Sequence, residues 1–299
     1  MIGRNSVKRA VKRTVGWAAS LEALVAGRRA GVGACVFYYH RVAELDFVDG
    51  AVDDWNVRPA TFARQVAALA EFAEIVPLLE LPERLRRAAP GQRPLVALTF
   101  DDGYASFHRH ALPVLKRLGA PATAFAVTAT VGLDAPQPFD AWARKNLRRT
   151  RSEDWRAMNW DELEDCAASG LVHVGAHSHR HLRGSRCTPA QLTEEAARSR
   201  ELLRGRLGPA HARAYAYPYG STLHGDASPA YAAAVRAAGY EVAVTTDLGL
   251  VTAASDPLLL PRLEAHALDA PGVLRAKAVG ALASYRLTDK LRLLNRAAG

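Results

Sequence analysis

Short apolar runs alternate with longer amphipathic stretches along most of the chain. The runs GACVFYYH (33–40), AEIVPL (73–78), PLVALTFDD (94–102), ATAFAVT (122–128), LVHVGAHS (171–178), ARAYAYPYG (212–220), YEVAVTT (240–246) and PLLLPRL (257–263) have strand length and strand composition. Helical spacing of apolar residues occupies 59–73, 105–118, 160–169, 188–206, 227–238 and 271–296. Thr188 and Ser228, each followed by proline, read as N-caps, and Gly119, Gly170 and Gly239 stand where helices end. Alternation of this kind predicts an α/β fold built on a parallel sheet or barrel. No low-complexity linker divides the chain; 129–159, with its prolines, tryptophans and basic residues, reads as an insertion over one end of the barrel.

The polar residues fall at the ends of these runs. His40 ends the first, Asp101 and Asp102 another, His177 and Ser178 a third, and Tyr217 to Gly220 a fourth. In a β/α barrel the C-terminal strand ends converge on one face, which is where such folds carry their chemistry. Four polar clusters at four such ends point to a single site.

Charge changes the picture only at the termini. The 299 residues carry a net +9. Residues 1–29 hold seven basic groups against Glu22, and residues 271–299 hold six against Asp289, so the body between them is slightly acidic and shows no nucleic-acid footprint. We therefore expect three parts: a basic amphipathic helix over 1–30, a barrel over 31–270 and a basic helix over 271–299. The basic ends fit peripheral contact with an anionic membrane, and equally helices packed on the barrel with solvated basic faces. The N-terminal stretch lacks a clear signal-peptide pattern and is too short in apolar residues to span a bilayer, which gives the expectation of a cytoplasmic protein, peripheral at the inner membrane face. Three scattered cysteines, Cys35, Cys166 and Cys187, form no CxxC pair and fit a reducing compartment.

The segment GAHSHRHLRG places His177 and His181 four residues apart. If 178–181 curl into a helical turn, both imidazoles face one side, and Asp102 completes a His₂Asp set suited to a divalent transition metal, zinc first among them. Ser178 would steady the turn through its backbone, while His179, at odd spacing, reads as exposed loop.

TFDDG, HSxxH (His177, Ser178, His181) and YPYG (217–220), in this order, resemble the polysaccharide deacetylase family, which shares the chitooligosaccharide deacetylase (NodB) homology domain. FYYHRV (37–42), NW (159–160) and LPRL (260–263) are similar to the branch acting on poly-N-acetylglucosamine exopolysaccharide. The resemblance covers roughly 33–265. It implies a distorted (β/α) barrel of about seven strands and metal-dependent removal of acyl groups from sugars. Carried over by position, Asp102, His177 and His181 would bind the metal and Asp101 would be the general base. The Tyr219 N–H, following Pro218, would help hold the oxyanion. His40 would be the general acid, with His266 in LEAH as the weaker alternative. Tyr219 is also the aromatic best placed to touch a sugar, among Tyr104, Trp142, Trp155, Trp160 and Tyr217.

The chain departs from the family pattern in three places. Ala216 stands where many members carry the arginine that orients the base, the Asp-Trp motif is missing around TTDLG (245–249), and the Leu-x-His element has no clean counterpart. The expected function is N-deacetylation of a polysaccharide or lipid-linked glycan. The alternatives are deformylation or deacylation of a small or carrier-linked amino sugar, and a non-catalytic barrel that docks to membrane.

Overall fold

A computed structural model describes residues 33–280, apart from 46, 48, 50, 51, 53, 54, 90, 151 and 152. The expected basic helix at 1–30 lies outside the described residues, as does most of the one at 271–299. No helix among the described residues is long and apolar enough to cross a membrane.

Seven parallel strands close a barrel: β1 (Ala34–Tyr39), β5 (Leu95–Phe100), β6 (Ala122–Ala126), β7 (Val172–Ala176), β8 (Ala214–Ala216), β9 (Val242–Leu248) and β10 (Leu260–Glu264). Around the ring the order is β1-β10-β9-β8-β7-β6-β5, and β5 pairs back to β1 residue for residue, from Ala34↔Leu95 to Tyr39↔Phe100. A two-residue strand, β4 (Glu74–Ile75), pairs with the start of β5, on the edge that β6 takes further along at Thr99 and Phe100. Outside the barrel, β2 (Arg41–Val42) and β3 (Asn56–Val57) form a small parallel pair that the sequence pattern did not reveal.

The strands read as continuous apolar runs because both of their faces are covered; all six residues of β5 are buried. The period of two still sorts them. Ala34 and Val36, Leu95 and Ala97, Ala214 and Ala216, Val242 and Val244, and Leu260 pack together in one cluster with Phe125, the barrel interior. Their neighbours Cys35, Phe37, Tyr39, Val96, Leu98, Phe100, Tyr215 and Ala243 join the outer layer beneath the helices. Gly175 belongs to the inward set because a Cβ there would lie 2.7 Å from both the Ala214 carbonyl and the Phe125 ring.

Along the chain the helices are α1 (Pro59–Phe72), α2 (Leu81–Arg86), α3 (Leu112–Leu118), α4 (Ala141–Lys145), α5 (Trp160–Ala168), α6 (Pro189–Leu207), α7 (Pro229–Ala238) and α8 (Pro271–Ala278); all but the short α2 and α4 fall in stretches that the sequence pattern marks as helical. Thr188 caps α6 in a reciprocal box with Gln191, and Ser228 accepts from the Tyr231 N–H at the start of α7. Gly119 and Gly239 end their helices in the left-handed region. The helix expected over 105–118 instead begins with a wide π turn at Phe107–Ala111, next to the Asp101–Asp102 corner.

Candidate active site

The inward parity of the strands carries directly into the site. Asp101 continues the inward series Leu95, Ala97, Thr99 off the end of β5; His40 continues Ala34, Val36, Tyr38 off β1; His177 continues Gly175 off β7. Three chemistry-bearing side chains from distant parts of the chain thus arrive at one barrel mouth by the same two-residue rule.

Asp102, His177 and His181 come together. Each histidine presents Nε2 at 3.4 Å from the same Asp102 Oδ1. Two ligands about 2.1 Å from a tetrahedral ion lie roughly 3.4 Å apart, so this spacing fits a divalent cation of zinc type. Among the described residues it is the one group of three or more His, Cys, Asp or Glu with such geometry. His177 donates Nδ1–H to the Ala216 carbonyl at 2.8 Å, which leaves the Nε2 lone pair facing Asp102. His181 is oriented differently: its Nδ1 is buried without a partner, and its ring stacks on Phe139 at 3.7 Å. Electrostatically the three are tightly coupled. Burial opposes the charge on Asp102, but the imidazoles of His177 and His181 beside it and the nearby His40 hold its carboxyl well below the usual range. Burial also disfavours charge on both ligand-like histidines. For His177 the two aspartates outweigh it and raise the pKa; for His181 burial and the neighbouring His177 prevail and lower it.

The turn that joins the two histidines is not the helical curl expected from their spacing. Ser178 and His181 both have positive φ, 61° and 59°, and the Ser178 Oγ accepts the His181 N–H at 2.9 Å. The rings converge because the backbone reverses twice into the left-handed region. Four of the five non-glycine residues with positive φ among the described residues lie here: Asp102, Ser178, His181 and Tyr219. His179 does turn away from the cluster, but it is half-buried and hydrogen-bonded to Thr128 at 2.9 Å rather than free in a loop.

Asp101 is held by Arg262. The guanidinium reaches both carboxylate oxygens at 2.8 and 2.7 Å, with both side chains buried. Arg262 is fixed in turn by the Thr245 carbonyl at 2.8 Å, by Thr99 Oγ1 at 3.1 Å and by the Tyr38 ring, 4.8 Å from its Cζ. Burial pushes Asp101 up; Arg262, His177 and His40 outweigh it and keep the carboxylate below its ordinary value. The arginine that seemed lost at Ala216 is therefore supplied from β10, by the LPRL segment. Ala216 keeps a different task, accepting from His177 through its carbonyl.

The 129–159 stretch contributes the far wall. Within PQPFD (136–140), Gln137 donates to the Asp102 carbonyl at 2.8 Å, Phe139 stacks on His181, and Asp140 binds Arg41 and the Tyr104 hydroxyl, each at 3.2 Å. None of these contacts was visible in the sequence, where the segment carries only turn and loop signals.

His40 stands near both aspartates and is packed edge-to-face with Trp55, ring centroids 4.7 Å apart. His266 lies in the turn after β10, where its Nδ1 accepts the Leu268 N–H at 3.0 Å and its own N–H donates to Asp269. Tyr219 projects outward, 45% exposed, and follows Pro218 at the end of β8. Of the other aromatics, Tyr104, Trp155 and Tyr217 are buried.

The sequence signature of polysaccharide deacetylases matches residues 88–243, just over half of the chain. The poly-beta-1,6-N-acetyl-D-glucosamine N-deacetylase of Escherichia coli (strain K12) is 30% identical over 124 residues, 41% of this chain and 18% of that protein. Among solved structures, IcaB from Ammonifex degensii shares 25% identity over 83% of this chain and 98% of its own, with a TM-score of 0.65. The Streptococcus pyogenes deacetylase PplD in complex with acetate has the same fold, at 22% identity, TM-score 0.66, and coverage of 81% and 96%. The matched signature runs from before the aspartate pair through the histidine turn to YPYG and spans just over half of the chain: the chain belongs to the polysaccharide deacetylase family.

Proposed function

We propose that this chain is a metal-dependent hydrolase that removes N-acetyl groups from the amino sugars of a glycan. One observation carries the reading: a carboxylate oxygen of Asp102 lies 3.4 Å from the Nε2 of both His177 and His181, beside a separate carboxylate, Asp101, locked in place by Arg262. Asp102, His177 and His181 would hold the cation. A cation bound there would polarise the acetyl carbonyl and make its bound water acidic enough to attack at neutral pH.

The chain's own groups divide the remaining work. Asp101, kept ionised by Arg262, accepts the proton of the attacking water. Fixing both carboxylate oxygens restricts the approach to one direction, which is where positioning lowers the barrier. The Tyr219 N–H, presented by a left-handed backbone, is the donor for the developing oxyanion. His40, across the mouth on β1, delivers a proton to the departing amine. His266 is already committed to its own turn through Nδ1, which favours His40.

The similarity to a poly-N-acetylglucosamine deacetylase supports an exopolysaccharide-like substrate. With Arg262 gripping both oxygens of Asp101, the absence of an arginine at position 216 gives no reason to prefer a small-amide substrate. The test is acetate release from β-1,6-linked N-acetylglucosamine oligomers by the purified protein, with and without a chelator. Acetate that appears, stops on chelation and returns with added zinc supports the reading. Formate release from an N-formylated oligomer without acetate release from its acetylated counterpart overturns it.

A further inference from the structure

Two aromatic side chains among the described residues are large and exposed, and both are braced against histidines of the site. Trp55 is 49% exposed and meets His40 edge-to-face at 4.7 Å; Tyr219 is 45% exposed and lies 5.2 Å from His181. The other large exposed apolar residues, Leu133, Leu147, Leu223 and Leu268, are aliphatic. Single exposed apolar residues are ordinary on a protein surface. Two aromatics, one beside each flank of the same site, are a patterned exception.

Trp55 is held by its backbone. Its carbonyl accepts the Arg41 N–H at 3.1 Å, its own N–H donates to Val52 at 2.9 Å, and the following residues pair as Asn56↔Arg41 and Val57↔Val42. Arg41 is itself buried, with its Cζ 3.7 Å from the centroid of the Trp155 ring and 4.3 Å from that of Tyr104. The small β2–β3 pair therefore works as a bracket that holds an indole beside His40 while leaving about half of it open. Tyr219 is held from the other side by Arg183, whose Cζ lies 4.4 Å from its ring centroid.

The two also stand opposite each other. Going round the seven strands, β1, which carries His40, and β8, which precedes Tyr219, are three steps apart by one route and four by the other, the greatest separation the ring allows. A ligand that touched both would cross the whole mouth, over Asp101 and Asp102. Pyranose rings offer flat faces of C–H groups that pack on aromatic rings, so neighbouring sugars of a glycan can each meet one platform while another reacts between them.

We propose that Trp55 is a positioning residue that stacks the sugar next to the reacting one, and that with Tyr219 it selects a glycan chain over a single amino sugar. This rests on the deacetylase reading above and narrows its substrate to an oligomer. The experiment compares wild type, Trp55→Ala and Trp55→Phe on two substrates: a β-1,6-linked N-acetylglucosamine pentamer and p-nitrophenyl acetate, which has no sugar to stack. The readout is the ratio of kcat/KM for pentamer to that for ester, which does not depend on the fraction of folded enzyme. We expect the ratio to fall about tenfold in Trp55→Ala, through KM for the pentamer, and to be largely restored in Trp55→Phe. An unchanged ratio in Trp55→Ala, including equal losses on both substrates, overturns the proposal and leaves Trp55 as a prop for His40. A wild type that cleaves the ester but releases no acetate from the pentamer overturns the deacetylase reading itself, a result distinct from either.

Discussion

Arg262 binds both oxygens of Asp101 from 161 residues further along the chain, and neither side chain is exposed. Such a pair is costly to bury and more costly to break, because removing one partner strands the other charge without water. Its value here is direction: a carboxylate gripped at both oxygens is held in one orientation. Arg262→Ala should lower stability by about 3–5 kcal/mol and reduce kcat by two orders of magnitude or more. Arg262→Lys, which keeps the charge but cannot bind both oxygens, should recover stability better than activity. Denaturant unfolding and deacetylation rates measured on the same preparations decide this; a lysine variant with full kcat would show that orientation is not Arg262's contribution.

The two adjacent aspartates should separate cleanly on mutation. Asp101→Asn is expected to keep zinc at one per chain and lose turnover. Asp102→Ala is expected to lose the metal, and activity with it. Metal analysis by mass spectrometry alongside acetate release checks both, and full turnover in Asp101→Asn would remove it as the base.

Phe139 supplies the stacking contact on His181, whose Nδ1 has no hydrogen-bond partner. Ligand orientation set by neighbours is worth about 10–100-fold in metal affinity. Phe139→Ala should weaken zinc binding by about tenfold, read by competition with a chromophoric chelator, while Phe139→Tyr should stay near wild type. Equal affinities in Phe139→Ala and wild type would mean that the turn alone orients the ring.

At the opposite end of β7, His173 predicts an acid limb of stability. Its Nε2 accepts the Arg213 N–H at 3.4 Å, which requires the neutral ring, and burial followed by His211 and Arg213 lowers its pKa from 6.5 to about 3. Below pH 6.5 the unfolded chain takes up a proton that the folded chain refuses. This contribution is therefore whole above that pH and is lost as the pH falls toward 3, at no more than about 1.4 kcal/mol per unit. Between pH 7 and pH 5, urea unfolding should show wild type losing up to about 2 kcal/mol more than His173→Gln. Parallel losses in the two proteins would assign the acid limb elsewhere.

Gly175 tests the barrel interior. Adding one methyl group there brings carbon against the Ala214 carbonyl and the Phe125 ring, backbone and packed aromatic, neither free to swing away. Gly175→Ala should cost about 1–3 kcal/mol, seen as a lower denaturation midpoint. A stability equal to wild type would show that β7 and β8 can spread.

Much of this protein is legible in its residues because local rules govern it. Apolar run length, proline after Thr188 and Ser228, and glycine after the helices mark elements through interactions spanning only a few positions. The motifs TFDDG, HSxxH and YPYG announce their chemistry because each needs particular donors at short spacing. Period two even assigns the inward direction to His40, Asp101 and His177 once the strands are known.

What remained hidden depends on closure. Arg262 could be linked to Asp101 only after β10 and β5 took places on either side of β1 in one ring. Phe139, Gln137 and Trp55 carry no motif, because stacking and a single hydrogen bond require position rather than a residue pattern. The handedness of the backbone at Ser178 and His181 likewise follows from where the rings of His177 and His181 must point. The sequence by itself determined the barrel strands, the longer helices and the donors; the tertiary structure decided which donors meet, because contacts between residues far apart in the chain exist only once the barrel has closed.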